Sequence, residues 1–324
     1  MAPVSRHRLS PADTGPALRA LRAWTPPDAP SGSLHPGDVG WLLRRDDATV
    51  FLWTDARTDA QASAHAAAGA DAQTYARAAA GADAQTSART DAQTHARTDA
   101  QTHARTEGAP TTTAAPVAVG FLDGPVLRVT AAPDADLGAL AADAEDLLVP
   151  GNDATDGLPV PGWEPDTEEP WLVFSWTPEP VSSRAVQVTE SDTADRALVH
   201  RAAFTGSTLT ADHWRTMKKS PAGHLAVETL VRTPAGEPAA AATGWFGGAG
   251  RCGLLEPVGT HADHRGHGYG RDAVRGACAA LADRGASAVA VLTPASNEAA
   301  AALYTSAGFT VVRENLDWTR PGRG

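Results

Sequence analysis

The sequence predicts an α+β protein built from two units, and three observations predict it. A length of 324 residues exceeds what one hydrophobic core usually organises, so about two domains are expected. Short apolar runs of strand character alternate with stretches of helical periodicity in both halves. Residues 149–170, rich in Pro, Gly and acidic side chains, read as a linker between the halves. The expected units are residues 1–175 and 184–324.

In the first unit, residues 39–44 and 50–53 read as strands, and so do 117–122 and 125–129. A helix is expected over 136–148, where Leu137, Leu140 and Leu147 sit at near-helical spacing. Low complexity interrupts the unit over residues 54–113. Asp83, Asp91 and Asp99 each open the same octad, Asp-Ala-Gln-Thr-Xaa-Ala-Arg-Thr. A period of eight fits neither helix nor strand, and the repeat has almost no apolar bulk to offset its ordering entropy. It reads as a disordered or marginally helical insertion, not as a solenoid, whose units each need a buried face. Residues 171–176 read as one more strand.

The second unit is more legible. Residues 184–188 read as a strand, 192–204 as a helix, and a further helix starts at Thr210. Strands over 225–231 and 239–246 form a hairpin, and 252–259 is the next strand. A glycine-rich loop leads into a helix over 268–284 with Val274, Ala277, Cys278 and Leu281 on one face. An apolar strand over 286–292 and a helix over 297–307 follow, the helix stopped by Gly308. Residues 309–313 and 316–318 suggest closing strands.

Charge and composition exclude several functions. With 27 basic and 38 acidic residues the net charge is −11. Residues 129–183 contain twelve Asp/Glu and no Lys or Arg, which reads as a solvated linker. Such acidity argues against non-specific nucleic-acid binding. No run approaches the roughly 20 apolar residues that span a bilayer, and no apolar segment follows the first residues, so no membrane partner and a cytoplasmic location are expected. Cys252 and Cys278 are too few for a disulfide framework or a cysteine-based zinc site.

The chemistry concentrates after Glu256. A strand runs into Arg265, Gly266, His267, Gly268, Tyr269, Gly270 and Arg271, where a helix begins. Glycines permit tight turns, and free amides in a helix's first turn favour phosphate. The loop is expected to hold a pyrophosphate, with Arg265 or Arg271 adding charge-assisted contacts. It lacks the Gly-Lys-Ser/Thr of a Walker loop, and no acidic residue ends the next strand as a dinucleotide fold requires. Asn297 and Tyr304 lie seven residues apart, two turns along one helix face. His261, His264 and His267 are spaced by three, but they stand in a loop without a carboxylate or thiolate cluster, so no metal is expected.

In this order of elements and motifs, residues 184–324 resemble the GNAT superfamily of acyl-CoA-dependent N-acetyltransferases. Residues 265–270 are similar to its Arg/Gln-Xaa-Xaa-Gly-Xaa-Gly/Ala loop, and 297–309 to its Asn…Leu-Tyr…Gly-Phe segment. The resemblance implies acetyl-CoA as co-substrate, no metal, and a primary amine of a small molecule or peptide as acceptor, attacked directly in a ternary complex. Pro257 lacks an N–H, so its strand is locally broken, bulged or at an edge; a bulge there would free amides and carbonyls of Val258, Gly259 and Thr260 for the cofactor's pantetheine arm. Tyr304 would protonate the departing thiolate. Glu256 is a candidate base, directly or through water, or else a strand-end carboxylate paired with an arginine. Glu228 and His261 are weaker candidates. The first unit is similar only in outline, a degenerate tandem half as in mycothiol-synthase-like proteins, because no such glycine loop lies between Val129 and Leu137. The alternatives are a non-catalytic acyl-CoA-binding sensor or interaction module, and a scaffold built on the octads.

Overall fold

The computed structural model describes residues 3–28, 34–58, 114–148, 154–167 and 169–321. The octad insertion lies outside them, apart from its first five residues. The first half runs β1 (Val4–Leu9), α1 (Gly15–Trp24), α2 (Pro36–Leu42), β2 (Val50–Asp55), β3 (Pro116–Asp123), β4 (Val126–Ala131), α3 (Leu137–Asp143), β5 (Ala154–Asp156), β6 (Glu164–Pro165) and β7 (Trp171–Trp176). The second runs β8 (Val186–Gln187), α4 (Thr193–Ala203), α5 (Ala211–Lys219), β9 (Ala226–Arg232), β10 (Pro238–Trp245), β11 (Cys252–Thr260), α6 (Tyr269–Asp283), β12 (Ala288–Pro294), α7 (Glu298–Ala307), β13 (Thr310–Asn315) and β14 (Trp318–Thr319).

Both halves repeat one plan. A strand and two helices precede three antiparallel strands, and a helix then returns the chain as a strand parallel to the third of them. In the first sheet β4 pairs in parallel with β5, and in the second β11 pairs in parallel with β12; the other pairings are antiparallel. The fold is therefore α+β with two mixed, mostly antiparallel sheets in tandem.

The sheets exchange strands across the expected division of the chain. Their orders are β1-β2-β3-β4-β5-β14-β6 and β8-β9-β10-β11-β12-β7-β13. Strand β7, from the end of the first half, lies between β12 and β13. Strand β14, from the end of the chain, lies between β5 and β6. The expected linker also contains β5 and β6, both part of the first sheet. Alternation of apolar residues marks a strand without naming its partner, and strands of two or three residues have no period to read.

The expected strand over residues 39–44 is a correction: Pro36–Leu42 is helix α2. Its start is fixed by His35 at the N-cap and Pro36 at the first helical position. The His35 imidazole Nδ1 accepts the Gly37 N–H at 2.9 Å, and the Asp38 carboxylate accepts the His35 N–H at 2.6 Å. These reciprocal bonds satisfy the amides that a helix start leaves free. Strand β1 and helix α1 are not among the expected elements: Arg and His occupy much of β1 and hide its alternation, whereas α1 is an amphipathic helix that buries Ala17, Leu18 and Leu21.

The halves share one core. Leu18, Leu21, Val39, Leu52 and Val119 cluster with Trp214, Met217, Leu225, Trp245 and Leu254. At the contact, a Cβ on Gly37 would lie 2.4 Å from Trp245 Cγ, and one on Gly40 2.4 Å from Trp245 Cζ3. Only glycine lets α2 lie this close to the indole. His35 extends the contact by donating from Nε2 to the Cys252 carbonyl at 3.0 Å; since Nδ1 is an acceptor, the proton sits on Nε2.

Gly40→Ala tests the close approach. Alanine favours an isolated helix by about 0.5–1 kcal/mol, but overpacking a filled core costs about 1–3 kcal/mol. Chemical denaturation should show net destabilisation; a gain in stability would mean that the indole is not held against the helix.

His35 should make stability pH-dependent. Burial lowers its pKa to about 4, against a weaker opposing effect of Asp38. The unfolded chain therefore binds the extra proton first, near pH 6.5. Its contribution is complete above pH 6.5 and is lost as pH falls toward 4, with a limit on the order of 3 kcal/mol. Asn in its place keeps an N-cap acceptor without the titration. The stability advantage of wild type over His35→Asn should shrink from pH 6.5 to pH 4 in parallel melts; a constant difference would reject the role.

Candidate functional site

The site starts where the second sheet splits. Parallel pairing of β11 with β12 covers only Cys252–Leu254 against Ala288–Ala290. Beyond it β11 bulges, with one more residue than β10 between the pairs Val258–Ala242 and Leu255–Gly244. Pro257, without an N–H, sits in the bulge. The Trp245 indole N–H donates to the Glu256 carbonyl at 2.7 Å and anchors it. The diverging strands leave a cavity of about 980 Å³, walled by Leu255 to Val258, by Val291 to Thr293, and by Asn297, Ala300 and Tyr304 of α7.

Alternation along β11 decides which amides face this opening. The His261 N–H donates to Ala239 on the β10 side, so Gly259 turns the same way, and Val258 and Thr260 turn toward the split. Gly259 serves instead by lacking a side chain: a Cβ there would come 2.8 Å from Ala203 Cβ at the end of α4.

At one end of the opening stands the glycine loop. Gly266 and Gly268 have φ of +79° and +78°, a region that side chains strain, and Gly268 is the N-cap of α6. No side chain caps that end, so the first-turn amides at Tyr269, Gly270 and Arg271 remain available. Gly270 lets α6 meet β11, for a Cβ would lie 2.5 Å from Thr260 Oγ1. Arg265 and Arg271 flank the loop. The sequence reading missed Arg184, which is far away in the chain. It pairs with Asp272, lies over the Tyr269 ring at 4.8 Å and stands near the His267 carbonyl. The loop fits a pyrophosphate in backbone shape, in free donors and in charge.

The equivalent place in the first half does not fit one. A cleft of about 590 Å³ opens beside β4 and β5 there. Residues 132–136, before α3, contain no glycine and two aspartates. The Asp136 carboxylate caps the helix, accepting the Ala139 N–H at 3.0 Å. A carboxylate thus occupies the position that a phosphate would need.

On α7, Asn297 is the N-cap, its side-chain oxygen accepting the Ala300 N–H at 3.2 Å, and it also lines the cavity. Tyr304 is buried, its ring against Phe174 and Phe309 at 5.6 and 6.0 Å. Burial, and then the Glu256 charge, raise its pKa, so the phenol keeps its proton at neutral pH.

Glu256 lines the same cavity. Its carboxyl lies against that of Asp38 on α2, and its Oε2 is buried with no hydrogen-bond partner among the described residues. Burial, then the Asp38 charge, raise its proton affinity well above the ordinary carboxylate value; Arg128 opposes them. Glu256 makes no direct ion pair among the described residues, whereas Arg128 pairs with Asp38 at 3.0 Å. Glu228 stands elsewhere, paired with Arg196 at 2.7 Å and accepting from Thr243 at 2.9 Å in the core.

The three loop histidines have local partners. His261 Nδ1 accepts the Asp263 N–H, His264 stands 3.7 Å from Glu237, and His267 meets the Arg265 carbonyl. Among the described residues no group of three or more His, Cys, Asp or Glu is placed to hold a metal ion. His200, also missed from the sequence, borders the cavity between Trp41 and Phe204. Burial and then Arg196, Arg44 and Arg201 lower its pKa to about 3, so it is a neutral imidazole and a weak base. Among the described residues no helix is long and apolar enough to cross a membrane.

Known proteins bear on this arrangement. Residues 194–309 match the profile of the acetyltransferase (GNAT) family. No curated protein sequence matches the chain. Among solved structures, a tandem GNAT protein from the clavulanic acid biosynthesis pathway is 13% identical, with 98% of each chain covered and a TM-score of 0.48. A GCN5-related N-acetyltransferase from Sphaerobacter thermophilus is 18% identical, covering 66% of this chain and 80% of that one, at 0.42. An aminoglycoside 6′-N-acetyltransferase from Acinetobacter haemolyticus is 18% identical over 40% of this chain and 92% of its own, at 0.34. With the split sheet, the glycine loop at the start of α6 and the profile match all in the same half, the C-terminal half of this chain is a domain of the GNAT acetyltransferase family.

Proposed function

We propose that the protein is an N-acetyltransferase that moves acetyl from acetyl-CoA to the primary amine of a small molecule or peptide, by direct attack in a ternary complex. The observation that carries this reading is the split between β11 and β12, with uncapped amides of α6 at one end and Tyr304 and Glu256 on its walls. The amides at Tyr269, Gly270 and Arg271, with Arg184, Arg265 and Arg271, would bind the pyrophosphate of acetyl-CoA. Val258 and Thr260 would bind its pantetheine arm, and Asn297 would border it. The cofactor supplies an activated thioester and a thiol leaving group.

The chain's own groups account for the proton movements. Glu256, raised in proton affinity, takes a proton from the incoming ammonium or from the amine as it attacks. The nitrogen lone pair forms the C–N bond, the C–S bond breaks, and the electron pair leaves on sulfur. Tyr304 gives its proton to that sulfur. From a neutral amine the products are an amide, a thiol, a protonated Glu256 and a Tyr304 phenolate, which takes the Glu256 proton back directly or through solvent water; an ammonium releases one further proton to water. An amide of β11 directed at the thioester oxygen would contribute about 3 kcal/mol to the transition state.

The cofactor assignment is tested at Gly268. Acetyl-CoA should raise the melting temperature of wild type by mass action. Gly268→Asp adds charge and a side chain at positive φ, and should abolish the rise; a folded variant that keeps it would sink the loop assignment.

Tyr304→Phe tests the acid. The ring and its packing remain, so acetyl-CoA affinity should hardly change. Single-turnover rates should fall about 10²-fold, the lower end for general acid catalysis. A wild-type rate would leave Tyr304 a packing residue.

A further inference from the structure

A second cavity, of about 170 Å³, lies behind the first at the contact between the halves, and the two share Leu255, Glu256 and Leu292 as a common wall. Its charged lining consists of Asp38, Asp123, Asp156, Glu256 and Asp317, with Arg128 as the cation, and Asn315 adds a neutral polar group. Three of these carboxylates come from the first half, on α2, β3 and β5.

The charges do not balance. Arg128 stands 3.0 Å from Asp38, 3.5 Å from Asp156 and 3.8 Å from Asp123. No cationic side chain forms an ion pair with Glu256 or Asp317 among the described residues. The buried Glu256 Oε2 has no hydrogen-bond partner among the described residues. Uncompensated buried charge is unfavourable, so protons are drawn in. Asp156 is pushed up to about 6 by burial, with Asp317 and Asp38 adding to the effect. Asp317 is also raised, again first by burial. Asp38 acts on both Glu256 and Asp156, Asp317 acts on Asp156, and Arg128 acts on Glu256, Asp156 and Asp317, so these carboxylates form one group around a single guanidinium. Asp123 is the exposed member, its side chain 64% accessible, and marks an approach from solvent.

We propose that this cavity is the acceptor pocket and that the acceptor is a small dication: a primary amine that reacts beside Glu256 and Asp38, and a second ammonium or guanidinium held by Asp156 and Asp317. The proposal rests on the acetyltransferase reading for the reaction, but not for the binding. The reacting nitrogen surrenders its charge, while the second cation stays paired and holds the molecule against the shared wall. The cavity has room for on the order of ten non-hydrogen atoms, which suits a short diamine or aminoalkylguanidine. The first half then has a role without binding a cofactor of its own: it supplies most of the charge that selects the acceptor.

The experiment compares 1,4-diaminobutane and 4-aminobutylguanidine with butylamine. Calorimetric binding to the full chain is measured first, and acetyl-CoA-dependent acetylation second. Both dications should bind at least tenfold more tightly than butylamine. Asp317→Asn and, separately, Asp156→Asn should reduce that preference at least tenfold while leaving the acetyl-CoA melting shift intact, which also reports that each variant folds. Equal binding of mono- and dication, binding of none, or a preference unchanged in a folded Asp317→Asn protein would overturn the pocket. Preferential dication binding without acetylation would keep the pocket and overturn the acetyltransferase reading. Acetylation of butylamine as efficient as that of the dications would do the reverse.

Discussion

Everything around the site depends on the seating of helix α2 against the indole of Trp245. Two glycines three residues apart give the helix a flat face, and the ring fills the space that their missing Cβ atoms leave. The contact sets three further groups. The indole N–H holds the Glu256 carbonyl at the bulge, His35 holds the Cys252 carbonyl where β11 still pairs with β12, and Asp38 is brought to the Glu256 carboxyl. A helix of the first half thereby fixes both the strand that opens in the second half and the ionisation of its acidic residue.

The strand exchange gives this contact its rigidity. Strand β7 completes the second sheet and β14 the first, so neither sheet is whole without a segment from the other side of the chain. Separating the halves would break backbone ladders as well as the shared core. The carboxylates of the first half therefore lie at fixed positions relative to β11. A site divided between two freely hinged domains would meet the same charge repulsion by moving apart; here the response is protonation, seen in the raised proton affinity of Asp156, Glu256 and Asp317.

What could be read from the sequence divides along the range of the interactions. The glycine loop, the helix ended by Gly308 and the Asn297–Tyr304 spacing are local, and the second half follows the expected elements closely. An irregularity at Pro257 was likewise legible, because a missing N–H marks a broken, bulged or edge strand; which of the three depends on β10 and β12 on either side. Residues 39–44 misled because Val39, Leu42 and Leu43 resemble a strand, while the start of the helix is written in His35, Pro36 and Asp38. Glu256 stood out from the sequence, but Asp38, its partner, gave no sign, being more than two hundred residues away. Arg184 and His200 were missed for the same reason: their meaning lies in what the fold sets beside them.

The two ends of the site carry opposite charge, and that polarity bears on how two charged reactants meet. The glycine loop presents amides together with Arg184, Arg265 and Arg271, whereas the rear cavity presents five carboxylates and one guanidinium. Between them lie the side chains of Leu255 and Leu292, shared by both cavities. Charges in a low-dielectric setting act over longer distances than in water. An anion is therefore guided to the loop and rejected from the rear, and a cation experiences the reverse. On the proposed reading, the cofactor's phosphates and the acceptor's cation arrive from opposite ends, and their reacting groups meet at the apolar wall. The bulge lies at that wall, and so do Glu256 and the backbone that Trp245 anchors. The split in the sheet is thus where two oppositely charged molecules can approach without sharing a binding surface, which a single uniformly charged cleft could not arrange.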